Sequence, residues 1–78
     1  MFMIKSEIKQ AMLENLNAKS SSIANCIVEL SKQGYSPNNA KLVKLNWLFL
    51  MQEAIKQDSF YNEEQVNNIK IIYNKLIH

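Results

Sequence analysis

The spacing of apolar side chains is helical along almost the whole chain, and no stretch alternates apolar and polar residues as a half-buried strand does. Apolar residues recur three and four positions apart in four segments, at about residues 3–17, 21–33, 37–57 and 62–76. The pattern therefore predicts an all-α fold, a small four-helix bundle that forms a single domain over residues 1–78.

Local signals set the predicted helix boundaries. Serine hydroxyls compete for backbone hydrogen bonds, so Ser20–Ser22 predicts a break and the N-terminal cap of the second helix. One unbroken helix across these serines is the alternative. Gly34 is predicted to end the second helix in a left-handed conformation, and Ser36 with Pro37 fits the start of the third. Asn62 fits the N-cap of the fourth helix.

The third predicted helix is long and apolar on nearly every side. One broad face is predicted to lie in the core: Ala40, Val43, Trp47, Leu50, Met51 and Ala54. A second apolar stripe lies among polar residues: Leu42, Leu45, Leu48 and Phe49. A helix with this pattern is normally buried on all sides. It is either the central helix of a compact bundle, or its second stripe is an exposed patch that another chain covers.

The length of 78 residues makes an association with another chain more plausible. A domain of this size buries only about 60% of the surface that its unfolded chain exposes. Its core rarely contributes more than ~3–5 kcal/mol without further support. The single cysteine, Cys26, excludes an internal disulfide, and one cysteine with one histidine cannot supply a structural zinc site. Regular helix packing and association with a partner remain as sources of stability.

Charge and hydropathy argue against nucleic acid and membrane as partners. The net charge is only +2, and all nine basic residues are lysines. The longest uninterrupted apolar run, Trp47–Met51, has five residues, whereas a membrane span needs about 20. The N-terminal residues lack the pattern of a secretory signal, so we expect a cytoplasmic protein.

The chain offers few groups for catalysis. Cys26 has no histidine or basic residue close in sequence, and its flanking residues predict a buried, unreactive thiol. Glu63 and Glu64 fall in the first turn of a helix, where acids interact favourably with the helix dipole. His78 is the last residue. We therefore predict no catalytic, cofactor-binding or metal-binding residue, and no enzyme.

The second half of the chain resembles a group of small helical uncharacterised proteins encoded among the structural genes of tailed phages. The resemblance rests on Lys41–Leu45 leading into an apolar helix, Tyr61–Val66 opening the last helix, and Asn74–Leu76 near its end. It implies a role in assembly and, for a phage-encoded protein, a place in the virion. It carries over no site residue.

These observations predict a non-enzymatic structural or protein-interaction module that packs into a larger assembly, as a virion component or a homo-oligomer. The predicted interface combines the second stripe with aromatic residues beside loops: Leu42, Leu45, Leu48, Phe49, Tyr35, Phe60 and Tyr61. The alternative is a small regulator, either an inhibitor of a host enzyme or a DNA-binding protein. The DNA-binding version would use the second and third helices as a helix-turn-helix.

Overall fold

The computed structural model describes residues 3–36 and 38–78, and this part of the chain forms three α-helices and no strand. Helix α1 spans Ser6–Lys32, α2 spans Asn39–Gln57 and α3 spans Glu63–Ile77. The predicted all-α class is confirmed. The four-helix bundle is wrong, because the first two predicted helices are one continuous helix. The predicted long apolar third helix is not borne out either, because that segment forms the second helix, α2, which has 19 residues against 27 in α1.

The serine run does not break α1, because Ser20 satisfies its hydroxyl within the helix and across to α2. Its Oγ donates to the carbonyl oxygen of Leu16 at 2.8 Å, and it accepts from Nε2 of Gln52 at 3.0 Å. Ser20 is buried, so the hydroxyl needs these two partners. The unbroken helix, which the sequence left as the alternative, is confirmed.

The end of α1 follows the prediction, whereas the start of α2 does not. Gly34 has a φ of 85°, and its N–H donates to the carbonyl oxygen of Ser31 at 3.1 Å. The next N–H, of Tyr35, donates to the carbonyl oxygen of Leu30 at 2.9 Å, which completes a Schellman motif. Asn38 caps α2 in place of the predicted Ser36, and Pro37 lies outside the described residues.

Helix α3 begins with the predicted cap. The side chain of Asn62 accepts a hydrogen bond from the backbone N–H of Gln65 at 2.9 Å. The Gln65 side chain accepts in return from the N–H of Tyr61 at 2.8 Å, one residue before the position that a standard capping box uses. Asn62 is therefore confirmed as the N-cap.

Helices α1 and α2 pack side by side in opposite directions as a hairpin. Near the connection between them, Nζ of Lys41 lies 2.9 Å from Sγ of Cys26. Further from the connection, Gln52 bonds Ser20 across the same interface. The described molecule is elongated, with extents of 48 × 21 × 19 Å. The hairpin defines its long axis.

Helix α3 lies on one face of the hairpin and covers only part of it. Its first turns share a surface groove with the N-terminal end of α1. In the middle, Nδ2 of Asn15 donates to the hydroxyl of Tyr73 at 2.9 Å, and near the C-terminus Ile77 lies beside Ser22. Helix α3 therefore runs parallel to α1 and ends beside Ser22. The last turns of α1 and the N-terminal half of α2 extend beyond it.

The core uses a different side of α2 from the one that periodicity favoured. The buried apolar residues are Ile4, Met12, Leu16, Leu48, Met51, Ile55, Phe60, Val66 and Tyr73. Of the predicted core face only Met51 is buried, whereas Val43, Trp47 and Leu50 are 54%, 51% and 52% exposed. The prediction was wrong because α2 is apolar nearly all round, so its pattern does not select the side that packs against α1.

Asp58 joins the C-terminal end of α2 to the N-terminal segment of the described chain. It follows α2 with a φ of 48° and is buried. Its Oδ1 accepts from the backbone N–H of Ile4 at 2.8 Å, and its Oδ2 lies 3.5 Å from Nζ of Lys9. No local pattern predicts this contact, because the partners are about fifty residues away along the chain.

Candidate interaction surfaces

The described residues contain no arrangement that suggests a metal centre. In residues 3–36 and 38–78, no three side chains of His, Cys, Asp or Glu come together as a metal site requires. Cys26 differs from the prediction, because it is half-buried and the Lys41 amine contacts its sulfur. No basic residue is close to Cys26 in sequence, but the fold brings Lys41 beside it.

The face of the hairpin opposite α3 is uncovered. Leu13 and Asn15 lie about 160° apart around α1, and Asn15 contacts α3 through Tyr73. On the Leu13 side, α1 lines a shallow groove to which no residue of α3 contributes. We call this side of the hairpin, away from α3, the open face.

Large apolar side chains lie on the open face near the connection between α1 and α2. Val28 lies within about 60° of Leu13 around α1. Because α2 runs antiparallel to α1, the side of α2 that continues this face carries Leu42, Leu45 and Phe49. Val28, Leu42 and Phe49 are 50%, 43% and 52% exposed, and Leu45 is half-buried. Ala24, also half-buried, completes the apolar part of the open face.

A second apolar surface lies on the side of α2 that points away from α1. It consists of Val43, Trp47 and Leu50, spaced four and three residues apart, and we call it the outer strip. The charged residues of α2 fall outside its arc: Lys41, Lys44, Glu53 and Lys56. Sequence reasoning assigned these three apolar residues to the core, so it missed the outer strip as a surface.

The predicted interface residues separate into four places: the open face, the core and the two ends of the molecule. Leu42, Leu45 and Phe49 lie together on the open face. Leu48 is completely buried and Phe60 is 7% exposed, so for these two the prediction of an exposed surface was wrong. Both are core residues that pack the hairpin and the loop before α3. Leu48, Met51 and Ile55 are the buried residues of α2, and they are spaced three and four residues apart. This helical spacing is the only feature of the sequence that indicates burial of Leu48.

The two tyrosines of the predicted interface are exposed but lie far apart. Tyr35, 65% exposed, follows α1 at the tip of the hairpin. Tyr61, 85% exposed, precedes α3 at the opposite end. With most of the 48 Å length of the molecule between them, they cannot belong to one compact surface with the open face.

The charged groups near these surfaces give little support to recognition of DNA. The Lys32–Glu29 and Lys56–Glu53 pairs, at 3.5 and 3.9 Å, are well exposed and contribute little to stability. Helices α1 and α2 lie antiparallel along their lengths, whereas the helices of a helix-turn-helix cross at about 90–120°. The geometry of that motif is therefore not present in the described hairpin.

None of the helices in the described part of the chain has the combination of length and apolar character needed to cross a lipid bilayer. Protein-family models, curated proteins and solved structures were all compared with the chain, and none matches it.

Proposed function

We propose that this protein is a non-enzymatic interaction module that packs into a larger assembly through its α1–α2 hairpin. The observation that carries the proposal is the uncovered apolar part of the open face, with the outer strip beside it. A helical layer with apolar residues on both faces is normally covered on both. Helix α3 covers one face, and a partner would cover the other.

The exposed side chains provide a favourable free energy for such packing. Complete burial of a Val, Leu or Phe side chain contributes about 1.5–3 kcal/mol. Val28, Leu42 and Phe49 are about half exposed, so covering them would contribute on the order of 1 kcal/mol each. Large apolar patches on a small protein are typical of sites that bind other proteins.

A virion component and a homo-oligomer both fit this proposal, because each requires protein surfaces rather than a reaction centre. The resemblance to proteins encoded among phage structural genes favours the virion, and remains a prediction. A regulator that docks on a host enzyme would use the same surfaces. A DNA-binding regulator receives no support from the hairpin, since Lys41 contacts Cys26 and Lys56 lies beside Glu53.

Site-specific photo-crosslinking in cells that produce the protein tests this proposal. A photoreactive amino acid is placed at Phe49 on the open face and at Leu50 on the outer strip. Ile71 is the matched control, because it is apolar and 53% exposed but lies on α3. We expect protein adducts of defined mass from position 49 or 50 and only background from position 71.

Two results would contradict the proposal. Equal labelling at all three positions would mean that the surfaces of the hairpin bind nothing selectively. An absence of protein adducts at both hairpin positions, with the photoreactive group shown to be competent in the free protein, would mean that these surfaces are not covered in the cell.

A further inference from the structure

We propose that the partner covering the open face is a second copy of this chain, an inference that rests on the proposed function and makes it specific. In this dimer, two hairpins stack face to face about a two-fold axis parallel to the helices. Each α2 lies over the partner's α1 and antiparallel to it, so the hairpins form an up-down four-helix bundle. The two α3 helices lie on the outside.

Contacts within one chain determine which residues meet across this dimer. Gln52 bonds Ser20, and the long side chain of Lys41 reaches Cys26, so these two contacts bracket the level of each α2 residue along α1 to within about five residues. A two-fold axis parallel to the helices preserves these levels. Each α2 residue therefore lies opposite the part of the partner's α1 that is at the same height as in its own α1.

Side-chain sizes on the open face are complementary in this arrangement. Leu42 meets the partner's Val28, and Phe49 lies over the partner's Ser21 and the partner's Ala24. Phe49, the largest side chain of the open face, thus packs on small residues of α1, as close helix packing requires. A two-fold axis perpendicular to the helices would instead set Phe49 against the partner's Leu42 and leave the small residues of the two α1 helices facing each other across a gap.

Charge is complementary at the other end of the open face. Lys56 lies at the level of Glu14 and would meet the partner's Glu14, and symmetry repeats this pair. Both side chains are on the surface and can rearrange, since the Lys56–Glu53 contact of 3.9 Å is long and Gln10 bonds Glu14 at 3.4 Å. Opposite charges across an interface favour one partner and one register.

The open face is large enough for a dimer. Helix α2 has 19 residues and is therefore about 28 Å long. Two helices packed about 9 Å apart present a face about 20 Å wide. Covering this face on both copies buries on the order of 1,100 Å², just above the roughly 1,000 Å² that a specific interface needs. We expect a dimer that dissociates in the micromolar range.

Sedimentation velocity over low-micromolar to near-millimolar concentrations tests the dimer. Phe49→Ser removes an anchor of the open face, and Leu50→Ser is its matched control, because both residues are 52% exposed on neighbouring positions of α2. We expect the native chain and Leu50→Ser to dimerise, and Phe49→Ser to dimerise roughly tenfold more weakly or not at all. Circular dichroism confirms that each variant remains helical.

Charge reversal tests the axis of the dimer. Lys56→Glu and Glu14→Lys should each weaken dimerisation several-fold, and the chain carrying both changes should recover it. A perpendicular axis predicts no recovery, and that result would overturn the proposed arrangement.

The proposals can fail separately. A native chain that is monomeric at all concentrations overturns the dimer, as does loss of the dimer in Leu50→Ser alone. If cross-linking at position 49 then yields adducts with a different protein, the interaction module stands without the dimer. If neither adducts nor a dimer is found, both proposals are wrong.

Discussion

Two leucines of α2, only two residues apart, should differ strongly in their contribution to stability. Leu48 is completely buried against α1, whereas Leu50 on the outer strip is 52% exposed. Leu48→Ala and Leu50→Ala remove the same atoms from the same helix. Helix propensity changes equally in both, so the difference between them measures the packing at each position.

The expected magnitudes follow from burial. Leucine-to-alanine changes at fully buried sites cost about 2.7–5 kcal/mol, because a cavity adds to the lost transfer free energy. We expect about 3–4 kcal/mol for Leu48→Ala. At Leu50 about half of the apolar area is already in water and solvent fills the space, so the cost should be about 1 kcal/mol. A domain of this size has about 3–5 kcal/mol in total, so Leu48→Ala should have a stability close to zero and be partly unfolded.

Urea unfolding followed by circular dichroism measures both variants, at concentrations below those at which the native chain associates. A stabilising osmolyte added equally to all samples restores a folded baseline for Leu48→Ala. Equal losses, or a greater loss for Leu50→Ala, would refute the assignment of the core. Such a result would mean that the Val43, Trp47 and Leu50 side of α2 packs inward, as the apolar pattern alone suggested.

Two further stability predictions concern the ends of the hairpin. Asp58→Ala should cost about 2–4 kcal/mol in thermal unfolding, because it removes a buried charged acceptor from Ile4 and the ion pair with Lys9. Asp58→Asn keeps an acceptor and should cost clearly less, and equal losses would show that the hydrogen bond to Ile4 is unimportant. Gly34→Ala should cost about 1–2 kcal/mol, because the φ of 85° is unfavourable for alanine although no atom lies within 4 Å of its added Cβ. Gly34→Asn should recover part of this loss, and an unchanged melting temperature in Gly34→Ala would show that α1 does not need its left-handed end.

Helix ends determined by neighbouring residues were predictable from the sequence. Gly34 ends α1 and Asn62 begins α3, because each works through backbone groups within a few positions. Local chemistry of this kind is readable without knowledge of the tertiary structure. Even so, Asn38 replaced Ser36 as the cap of α2, since both residue types cap helices well and stand two positions apart.

Features that depend on distant residues were not predictable. Ser20 favours a helix end in isolation, but Gln52 on α2 bonds it and stabilises it inside α1. Asp58 gains its role only when Ile4 and Lys9 are brought beside it. In both cases the polar side chain bonds residues that are distant along the chain, and local residue spacing cannot predict such contacts.

The candidate surface was predicted in part. The sequence grouped Leu42, Leu45 and Phe49 in one stripe, and they do lie on one face of the hairpin. It also included Leu48, which differs from Phe49 by only about 100° around the helix and lies in the core. On a helix that is apolar nearly all round, the boundary between core and surface is set by where α1 and α3 lie, and the pattern cannot locate it.

The apolar character of α2 on so many sides follows from the unequal lengths of the three helices. Helix α1 has 27 residues and α3 has 15, which correspond to about 40 and 22 Å. Helix α3 therefore does not reach the tip of the hairpin, where only α1 and α2 are present. Two helices that pack only against each other each bury a single side. Trp47 and Phe49 lie on sides of α2 that α1 does not cover. While these side chains stay in water, they contribute little burial free energy to the stability of a small domain. Another chain that covers them would supply this free energy, so folding of the hairpin tip and association should be coupled.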